Sequence, residues 1–599
     1  MMLSRLGSLI HHWEGGSEFG PDAMYFAEVA SRSGTYQDLP ADFPAQISRT
    51  LLKIGIHQLY SHQAEAIQHS LAGENVLITT GTASGKSLCY QLPVLKSLLE
   101  DPDACSLCLF PTKALANDQL AAITTMISSA AIPSPLPGDS IIHTYDGDSS
   151  SSARQAARRS ARLLLSNPDM LHVGILPHHP TWSRFLANLK YIVLDEVHLY
   201  RGVWGSHVAN VLRRLGRVLK FYGATPHYIL TSATISNANE FSTRLTGQSF
   251  HWVQTDGAPH PRKYYLTLNP PLLNRDLNIR QSIAQTFLPL AGDLLRNDIQ
   301  TLFFTTTRKS AETLGKLLRE RYALESQKIA TYRSGYLPEQ RRKLEKEIKN
   351  SRAVITVSTN ALEVGVDIGQ LDCVVIGGFP GTVSSFKQQG GRAGRKEQDA
   401  AVIFMPSMSP VDQYLASHPE ELYNKSTELA VINPDNPLIL HQHLQCSLFE
   451  LPFRPGDLYG DLPEELLQMY LKVMLLQEKA HQRGDVMYWL ADDYPAAGIS
   501  IRSAEGKPFR LLVDGLGTRK LIGEVDASSA RWYVHPGAVY IHQGTSYLVE
   551  HLDLEENEVL LRQEETDYYT TPISEDEILP GEQKSWQKVT GCTKEFGDL

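Results

Sequence analysis

The stretch Asn75-Val76-Leu77-Ile78-Thr79-Thr80-Gly81-Thr82-Ala83-Ser84-Gly85-Lys86-Ser87 decides the fold of this 599-residue chain. Its apolar half predicts a buried strand, and its second half predicts a turn of small residues that opens a helix. Backbone N–H groups of such a turn, together with the helix N-terminus, bind phosphate oxygens. Lys86 would add a positive charge, and Ser87 would add a hydroxyl for Mg²⁺. The predicted nucleotide-binding residues of the loop are Thr80, Gly81, Thr82, Ala83, Ser84, Gly85, Lys86 and Ser87.

This loop departs from the strict pattern G-x-x-x-x-G-K-[ST], because Thr80 stands in place of the first glycine. A glycine-rich turn in any buried α/β unit is therefore the alternative interpretation. A second signal favours the phosphate loop, since Asp195 and Glu196 directly follow the buried strand Tyr191-Ile192-Val193-Leu194. Open α/β sheets bind ligands at the carboxyl ends of their strands. We predict that Asp195 holds Mg²⁺ together with Ser87 and that Glu196 activates the attacking water.

The pattern of buried strands and helices occurs twice along the chain. Continuous apolar runs, typical of parallel strands covered on both faces, precede and follow a proline-containing break near 255–270. Residues 411–480 look helical, and residues 508–570 are rich in strand-forming residues separated by turns. Residues 1–50 are rich in Gly, Ser, Pro and Asp and predict a loosely folded segment with one short helix. The fold class is therefore α/β, with two tandem parallel-sheet domains, a helical region and a β-rich C-terminal region.

Composition excludes several classes of protein. The net charge of -10 excludes a chain coated with basic surface, so any nucleic acid must bind a local basic track. Six cysteines in 599 residues do not indicate a disulfide framework. The sequence has no secretory signal and no run of about 18 apolar residues, so we expect a cytoplasmic protein without a membrane span.

Asp195-Glu196-Val197-His198 resembles the second motif of superfamily 2 DEAD/DEAH-type helicases, and the other motifs of that family follow in order. Ser232-Ala233-Thr234 resembles the motif that links hydrolysis to domain movement, and Gln388-Gln389-Gly390-Gly391-Arg392-Ala393-Gly394-Arg395 fits the pattern Q-x-x-G-R-x-G-R. Arginine suits a phosphate site because its planar fork binds oxygens bidentately and stays charged. The resemblance implies two RecA-like domains with ATP between them. It assigns catalytic roles to Lys86, Asp195, Glu196, His198, Gln388, Arg392 and Arg395, and nucleotide contacts to Gln63, Gly365 and Asp367.

The resemblance also implies a track for a nucleic-acid strand. Its predicted contacts are Pro111, Thr112, Lys113, Ser166, Asn167, Arg333 and Thr359. Such contacts to phosphates carry no sequence information. Two basic clusters could extend the track: one is formed by Arg154, Arg158, Arg159 and Arg162, and the other by Arg333 and basic residues of 341–352. A solvated charged helix is the alternative for both clusters.

Longer stretches, including Leu194 to Val208 and Tyr332 to Pro338, are similar to the Hrq / MrfA (YprA-like) branch of these helicases. This branch implies an ATP-dependent 3′-to-5′ DNA helicase that acts in DNA repair. An RNA helicase and a non-unwinding DNA translocase or scaffold are the alternatives. Predicted boundaries are an N-terminal segment at 1–50, RecA-like domains at 51–255 and 265–410, a winged-helix-like region at 411–500 and a β-rich region at 501–599.

We further expect ATP and Mg²⁺ as ligands, and single-stranded and tailed duplex DNA as partners. The motor is expected to be a monomer that associates with the nucleoid when it acts on DNA, with repair nucleases as further candidate partners. The branch carries a C-terminal four-cysteine zinc module, and we expect this sequence to stop before it. Cys105 and Cys108 form the one C-x-x-C pair, inside a predicted strand, where residues three apart point to opposite faces. We therefore predict no structural zinc within these residues.

Overall fold

A computed structural model describes most of the protein, and it divides the chain into two compact units, Met1–Glu505 and Gly506–Leu599. The described residues are 4–15, 24–40, 43–81, 84–130, 132, 139–277, 279–333, 335–363, 368–369, 371–394, 398–491, 494–502, 509–514, 519–525, 527–542, 545–564, 566, 568, 570, 572, 583–589 and 592–597. Among them, no helix has the length and apolar character needed to cross a bilayer.

The N-terminal segment is more ordered than its composition predicts. It forms α1 (Arg5–Gly15), β1 (Met24–Val29) and β2 (Tyr36–Gln37). Ile10 and Trp13 of α1 are buried in the core of the second α/β domain. Strand β1 pairs antiparallel with a strand of that same domain, with Met24 opposite Leu268. The expectation of a loose segment with one short helix was therefore wrong, because the partner of β1 lies far along the chain and leaves no local signal.

The first α/β domain is a seven-stranded parallel sheet covered by helices. Its elements are α2 (Ala45–Lys53), β3 (Leu59–Tyr60), α3 (Ser61–Leu71), β4 (Val76–Ile78), α4 (Ser87–Glu100), β5 (Cys105–Leu109), α5 (Lys113–Ala130), β6 (Ile142–Thr144), α6 (Ser151–Ser160), β7 (Leu163–Ser166), α7 (Pro168–Met170), α8 (Ser183–Ala187), β8 (Leu189–Leu194), α9 (Gly202–Tyr222), β9 (His227–Thr231), α10 (Ala238–Thr246) and β10 (His251–Val253). The strand order is β10-β4-β9-β8-β5-β7-β6, so β9 lies between the strands that precede the phosphate loop and Asp195.

The second α/β domain is a seven-stranded sheet in the order β1-β11-β18-β17-β14-β16-β15, parallel except for β1. Its elements are β11 (Lys263–Leu268), β12 (Leu272–Asn274), β13 (Ile279–Arg280), α11 (Ile283–Arg296), β14 (Thr301–Thr305), α12 (Arg308–Arg321), β15 (Ile329–Tyr332), α13 (Pro338–Lys349), β16 (Ile355–Ser358), β17 (Cys373–Gly377), α14 (Val383–Gly390) and β18 (Ala400–Met405). The small hairpin of β12 and β13 stands apart from this sheet. The prediction of two tandem RecA-like parallel-sheet domains is thereby confirmed.

Helices and a hairpin complete the first unit. They are α15 (Pro410–Ser417), α16 (Glu420–Tyr423), α17 (Pro437–Glu450), α18 (Glu464–Leu476), β19 (Ala480–Arg483) and β20 (Val486–Trp489). Leu415 and Leu422 of the first two helices belong to the core of the second α/β domain. Helices α17 and α18 and the hairpin share a separate core, as expected of a winged helix with its wing.

The second unit is β-rich, as predicted. It contains β21 (Phe509–Asp514), β22 (Arg519–Val525), α19 (Ala527–Tyr533), β23 (Val539–His542), β24 (Thr545–Asp553), β25 (Glu558–Gln563), β26 (Gln583–Val589) and β27 (Cys592–Gly597). Five strands form one sheet in the order β22-β21-β25-β24-β23, and the last two form a hairpin. Leu511, Val549 and Leu561 form part of its buried core.

Candidate ATP site and nucleic-acid face

The phosphate loop is closed by its own side chains. The Lys86 Nζ donates to the carbonyl oxygens of Thr80 at 2.9 Å and Gly81 at 2.8 Å, so the ammonium stands inside the loop. The Thr80 hydroxyl lies 2.7 Å from the Ser84 hydroxyl, which also donates to the Gly81 carbonyl. Thr80 therefore cross-links the loop, which accounts for a threonine at the usual glycine position. Thr82 and Ala83, predicted to belong to this loop, lie outside the described residues.

Gln63 ties the loop to helix α3. Its Oε1 accepts from the Tyr60 N–H at 2.9 Å, and its Nε2 donates to the Gly85 carbonyl at 2.9 Å. A Cβ atom at Gly85 would lie 2.6 Å from that Nε2, and Gly85 has a φ of +81°, so only glycine fits there. Gln63 is thus buried against the loop, and its contact with the nucleotide stays a prediction.

Asp195 lies at the carboxyl end of β8 and is buried. The Thr231 hydroxyl, at the end of neighbouring β9, donates to Asp195 Oδ1. Burial, and secondly the charge of Glu196, raise the pKa of Asp195 to about 7, against the lowering effect of Lys86. A divalent cation would stabilise the ionised form of this carboxylate, because its positive charge compensates for the solvation that burial removes. Glu196 has a φ of +51°, a left-handed conformation that sets its side chain off from the strand direction.

His198 connects the two α/β domains. Its Nδ1 accepts from the Ala233 N–H at 3.1 Å, which places the proton on Nε2. That Nε2 contacts the side-chain amide of Gln388 on α14, so the amide must present its oxygen. Burial lowers the pKa of His198 to about 4, so the imidazole is neutral at pH 7. The 3.4 Å approach of Glu196 to its Nδ1 is therefore not an ion pair at that pH.

Arg392 lies just beyond the C-terminal end of α14 and is buried. Its Nε and one terminal nitrogen donate to the Glu363 carbonyl at 3.0 and 2.8 Å, and the Gln389 amide donates to the Glu363 carboxylate. The Glu363 carbonyl, in the segment that follows β16, thus fixes the position of the Arg392 guanidinium. Arg395, Gly365 and Asp367, the other predicted nucleotide contacts of this domain, lie outside the described residues.

The donors of the first domain fit ATP with Mg²⁺. The positive charge of Lys86 lowers the pKa of both Asp195 and His198. The loop supplies backbone donors and an ammonium for phosphate oxygens. A buried carboxylate and the Ser87 hydroxyl are oxygen ligands of the kind that Mg²⁺ prefers.

The predicted strand contacts of the first domain lie at the carboxyl ends of β5 and β7. Thr112 caps the following helix by accepting from the Leu115 N–H at 3.3 Å, and Lys113 pairs with Asp148 at 2.7 Å. The Pro111 carbonyl accepts from the guanidinium of Arg502 at 2.6 Å. Lys113 is half-exposed and is therefore available for a phosphate.

Two of the predicted contacts have internal partners. The buried Ser166 hydroxyl donates to the Tyr145 carbonyl at 2.6 Å, and Asn167 Oδ1 accepts from the Met170 N–H at 2.8 Å as a helix cap. In the second domain the Thr359 hydroxyl is buried and makes no hydrogen bond within the described residues. An unsatisfied buried hydroxyl costs free energy, so Thr359 is the predicted contact that most needs a ligand.

Two arginines assigned to the track are buried: Arg333, a predicted strand contact, and Arg162, a member of the first basic cluster. Arg333 pairs with Glu312 at 2.8 Å and lies over the Tyr336 ring, both inside the second domain. Arg162 donates to the Leu98, Asp101 and Ala104 carbonyls and closes the C-terminal end of α4. In this structure both guanidinium groups bind buried partners, so the assignment of Arg333 and Arg162 to the track stays a prediction that needs these partners to be released.

Sequence reasoning missed four residues that shape the site. Thr231 holds Asp195, and Glu363 holds Arg392. The Asp256 carboxylate accepts from the Gly81 N–H at 3.3 Å and so joins the interdomain linker to the phosphate loop. Arg502 joins Pro111 to Asp169, to which it donates at 2.8 and 2.9 Å. Each acts through a contact distant in sequence, which no local motif marks.

Three family profiles match successive parts of the chain. They are the DEAD/DEAH box helicase profile at residues 60–241, the helicase conserved C-terminal domain at 285–397, and the winged helix domain of ATP-dependent helicase HRQ1 at 432–504. Their order is the order of the two α/β domains and the helical region described above.

Similar full-length proteins and structures agree with this assignment. The chain is 42% identical over 549 residues to the ATP-dependent helicase YprA of Bacillus subtilis, covering 91% of this chain and 72% of YprA. It is 33% identical to ATP-dependent helicase HRQ1 of Saccharomyces cerevisiae, covering 92% of this chain and 52% of HRQ1. The crystal structure of the DUF1998 helicase MrfA bound to DNA superimposes with a TM-score of 0.92 at 39% identity, covering 99% of this chain and 78% of MrfA.

Proposed function

Because the chain belongs to the superfamily 2 ATP-dependent helicases, in the branch of YprA, HRQ1 and MrfA, we propose that it is a DNA helicase. It hydrolyses ATP between its two RecA-like domains, moves 3′ to 5′ along single-stranded DNA and opens tailed duplexes during DNA repair. It works as a monomer in the cytoplasm, at the nucleoid, with repair nucleases as partners.

One observation carries this proposal: His198 connects three motifs across the cleft. Its neutral imidazole accepts from Ala233 beside the phosphate site and meets Gln388 on the opposite domain. A change at Glu196, two residues before His198, can therefore reach α14, which ends at Gly390, two residues before Arg392. This arrangement suits a motor, in which hydrolysis and domain movement must be coupled.

The chain's own residues divide the chemistry among them. Lys86 and the loop N–H groups bind the phosphates, and Asp195 with Ser87 would hold Mg²⁺, which neutralises the developing phosphate charge. Glu196 orients water and takes its proton. Arg392 and Arg395 complete the site from the second domain when the cleft closes, and Gly365 and Asp367 contact the nucleotide.

The strand is proposed to cross the carboxyl ends of the sheets. Thr112, Lys113 and Thr359 contact its phosphates, while Ser166 and Asn167 shape the surface beneath. The exposed basic residues of α13, which include Arg342, Lys343 and Lys346, extend this track. DNA is favoured over RNA because the similar MrfA structure was determined with DNA bound.

ATPase activity with single-stranded DNA, compared with RNA of equal length, tests this function. We expect DNA to stimulate hydrolysis much more strongly, and equal stimulation by RNA would overturn the choice of substrate. A duplex with a 3′ tail should open faster than its 5′-tailed counterpart. Equal opening of both would contradict the polarity, and stimulated hydrolysis without opening of either would identify a translocase.

A further inference from the structure

The segment Thr427–Ala430, here called the cleft strap, fastens to the first α/β domain. The Thr427 hydroxyl donates to the Thr234 carbonyl at 2.9 Å, and the Ser236 hydroxyl donates to the Thr427 carbonyl. Asn237 exchanges two hydrogen bonds of 2.9 Å with the backbone of Ala430. Thr427 and Ala430 are buried, and Thr234 ends the Ser232-Ala233-Thr234 motif. The strap is therefore bound to Thr234, the residue that follows Ala233, whose N–H donates to His198.

The same strap also holds the second domain. The Glu428 carboxylate accepts from the Val383 N–H at 2.5 Å and from the Ser384 N–H at 3.0 Å, the first two residues of α14. Thr382 accepts from the third N–H, that of Ser385, at 3.1 Å. Partial burial alone would raise the pKa of Glu428, but the hydrogen bonds from Val383 and Ser384 lower it overall. An anion at a helix N-terminus gains from both the free N–H groups and the helix dipole.

Helix α14 brings Gln388 to His198, and Arg392 follows its last turn. We propose that Glu428 is a positioning residue that sets α14 in the register needed for hydrolysis, by tying it to the Ser232-Ala233-Thr234 motif through the strap. This inference rests on the proposed function, since it assigns a role within the ATPase cycle. Thr427 and Ala430 hold the first domain and Glu428 holds the second, so separation of the domains breaks either the hydrogen bonds of Thr427 and Ala430 or those of Glu428.

Glu428 is exposed, and α14 keeps its Thr382 cap without it, so its removal should leave the protein folded. We expect Glu428→Ala to lower the DNA-stimulated kcat about tenfold, which corresponds to about 1.4 kcal/mol and lies in the range of one helix cap. Glu428→Gln retains a hydrogen-bond acceptor but not the charge, so its DNA-stimulated kcat should be about threefold below the wild-type value. The KM for ATP, the Kd for single-stranded DNA and the Tm should each stay close to the wild-type value.

Glu420→Ala is the matched control, because Glu420 is an exposed glutamate of the preceding helix α16. It should hydrolyse ATP at the wild-type rate. A Glu428→Ala turnover within twofold of wild type would overturn the proposal. So would a loss matched by equal losses of DNA affinity and Tm, because that result indicates a structural role. Lys86→Ala distinguishes failure of this inference from failure of the proposed function. If the wild-type protein hydrolyses ATP no faster than this variant, the proposed function itself is wrong.

Discussion

Gln388 of the second α/β domain meets the protonated Nε2 of His198, three residues beyond the buried Asp195 of the first. Both side chains are buried. The Ala233 N–H donates to the Nδ1 of His198, which fixes the tautomer with the proton on Nε2. We expect His198→Ala and Gln388→Ala each to lower DNA-stimulated turnover about tenfold, with a double variant no slower than the worse single one, since residues in contact are not additive. Steady-state kinetics on the four proteins measures the coupling. Losses that multiply would show that the two side chains act separately.

Substitutions at Lys86 and Glu196 should both stop ATP hydrolysis, but for different reasons. Lys86→Ala removes the cation that faces the phosphates, so nearly all DNA-stimulated hydrolysis should be lost. Glu196→Gln removes only the base, so nucleotide and DNA binding should remain while turnover stops. Nucleotide binding by fluorescence titration, beside turnover, distinguishes them. Half the wild-type turnover in Lys86→Ala would reject the site, and loss of nucleotide binding in Glu196→Gln would make Glu196 structural.

Arg392 should act in hydrolysis more than in DNA binding. Alanine at this position should cost roughly 10³-fold in turnover, as removal of other arginine fingers does, and Arg395→Ala should behave alike. Single-turnover hydrolysis with saturating DNA provides the measurement. Arg296→Ala is the control, because Arg296 is an exposed arginine paired with Asp293 on α11. An unchanged rate with weakened DNA affinity would move Arg392 to the strand track.

The raised pKa of Asp195 predicts a pH-dependent cost in stability. An unfolded aspartate has a pKa of about 3.9, whereas Asp195 titrates at about 7 in the fold. The folded state thus favours the protonated form of Asp195. The contribution of this carboxyl group to the free energy of unfolding is fully present below about pH 4 and is lost as the pH rises through about 7. Asp195→Asn should raise the Tm of the ligand-free protein by at least about 2 °C at pH 8, and by less at pH 5. Thermal melts across this range test the prediction, and a gain independent of pH would contradict it.

Elemental analysis should find no structural zinc bound to these residues. Cys105 and Cys108 lie in the two apolar clusters on opposite faces of the first sheet, so they cannot share one ion. Among the described residues, one group has potential ligand atoms within 4.8 Å of one another: His69, Glu74 and His251. About one zinc per chain would contradict the prediction, and its loss in His251→Ala would assign the ion to this group.

The sequence predicts the parts of the site that local chemistry determines. The strands before the phosphate loop and before Asp195 are continuous apolar runs, and both form buried strands of the first parallel sheet, as predicted. Glycine and lysine at 85 and 86 are required by the loop itself, so the motif is readable without the fold. The same holds for Gln388 on α14, which the Q-x-x-G-R-x-G-R pattern singles out and which contacts His198.

Contacts between distant segments were not predictable in this way. Arg162 and Arg333 share helical or turn contexts with exposed basic residues, and only the tertiary structure shows that Leu98 and Glu312 are their partners. Thr231 and Glu428 lie in no motif. Thr231 donates to Asp195, and Glu428 accepts from the first two N–H groups of α14, the helix that carries Gln388. Residue type alone cannot tell a buried arginine from a surface one when its partners lie elsewhere in the chain.

Strand β1 has a consequence for how the protein is made. Its partner β11 emerges from the ribosome about 240 residues later, which at 5–20 residues per second is roughly 10–50 s of synthesis. By then the first α/β domain has been translated as far as its last strand, β10. Throughout that interval Ile10 and Trp13 of α1 lack the second α/β domain against which they pack, so these apolar side chains stay exposed until that domain has been made.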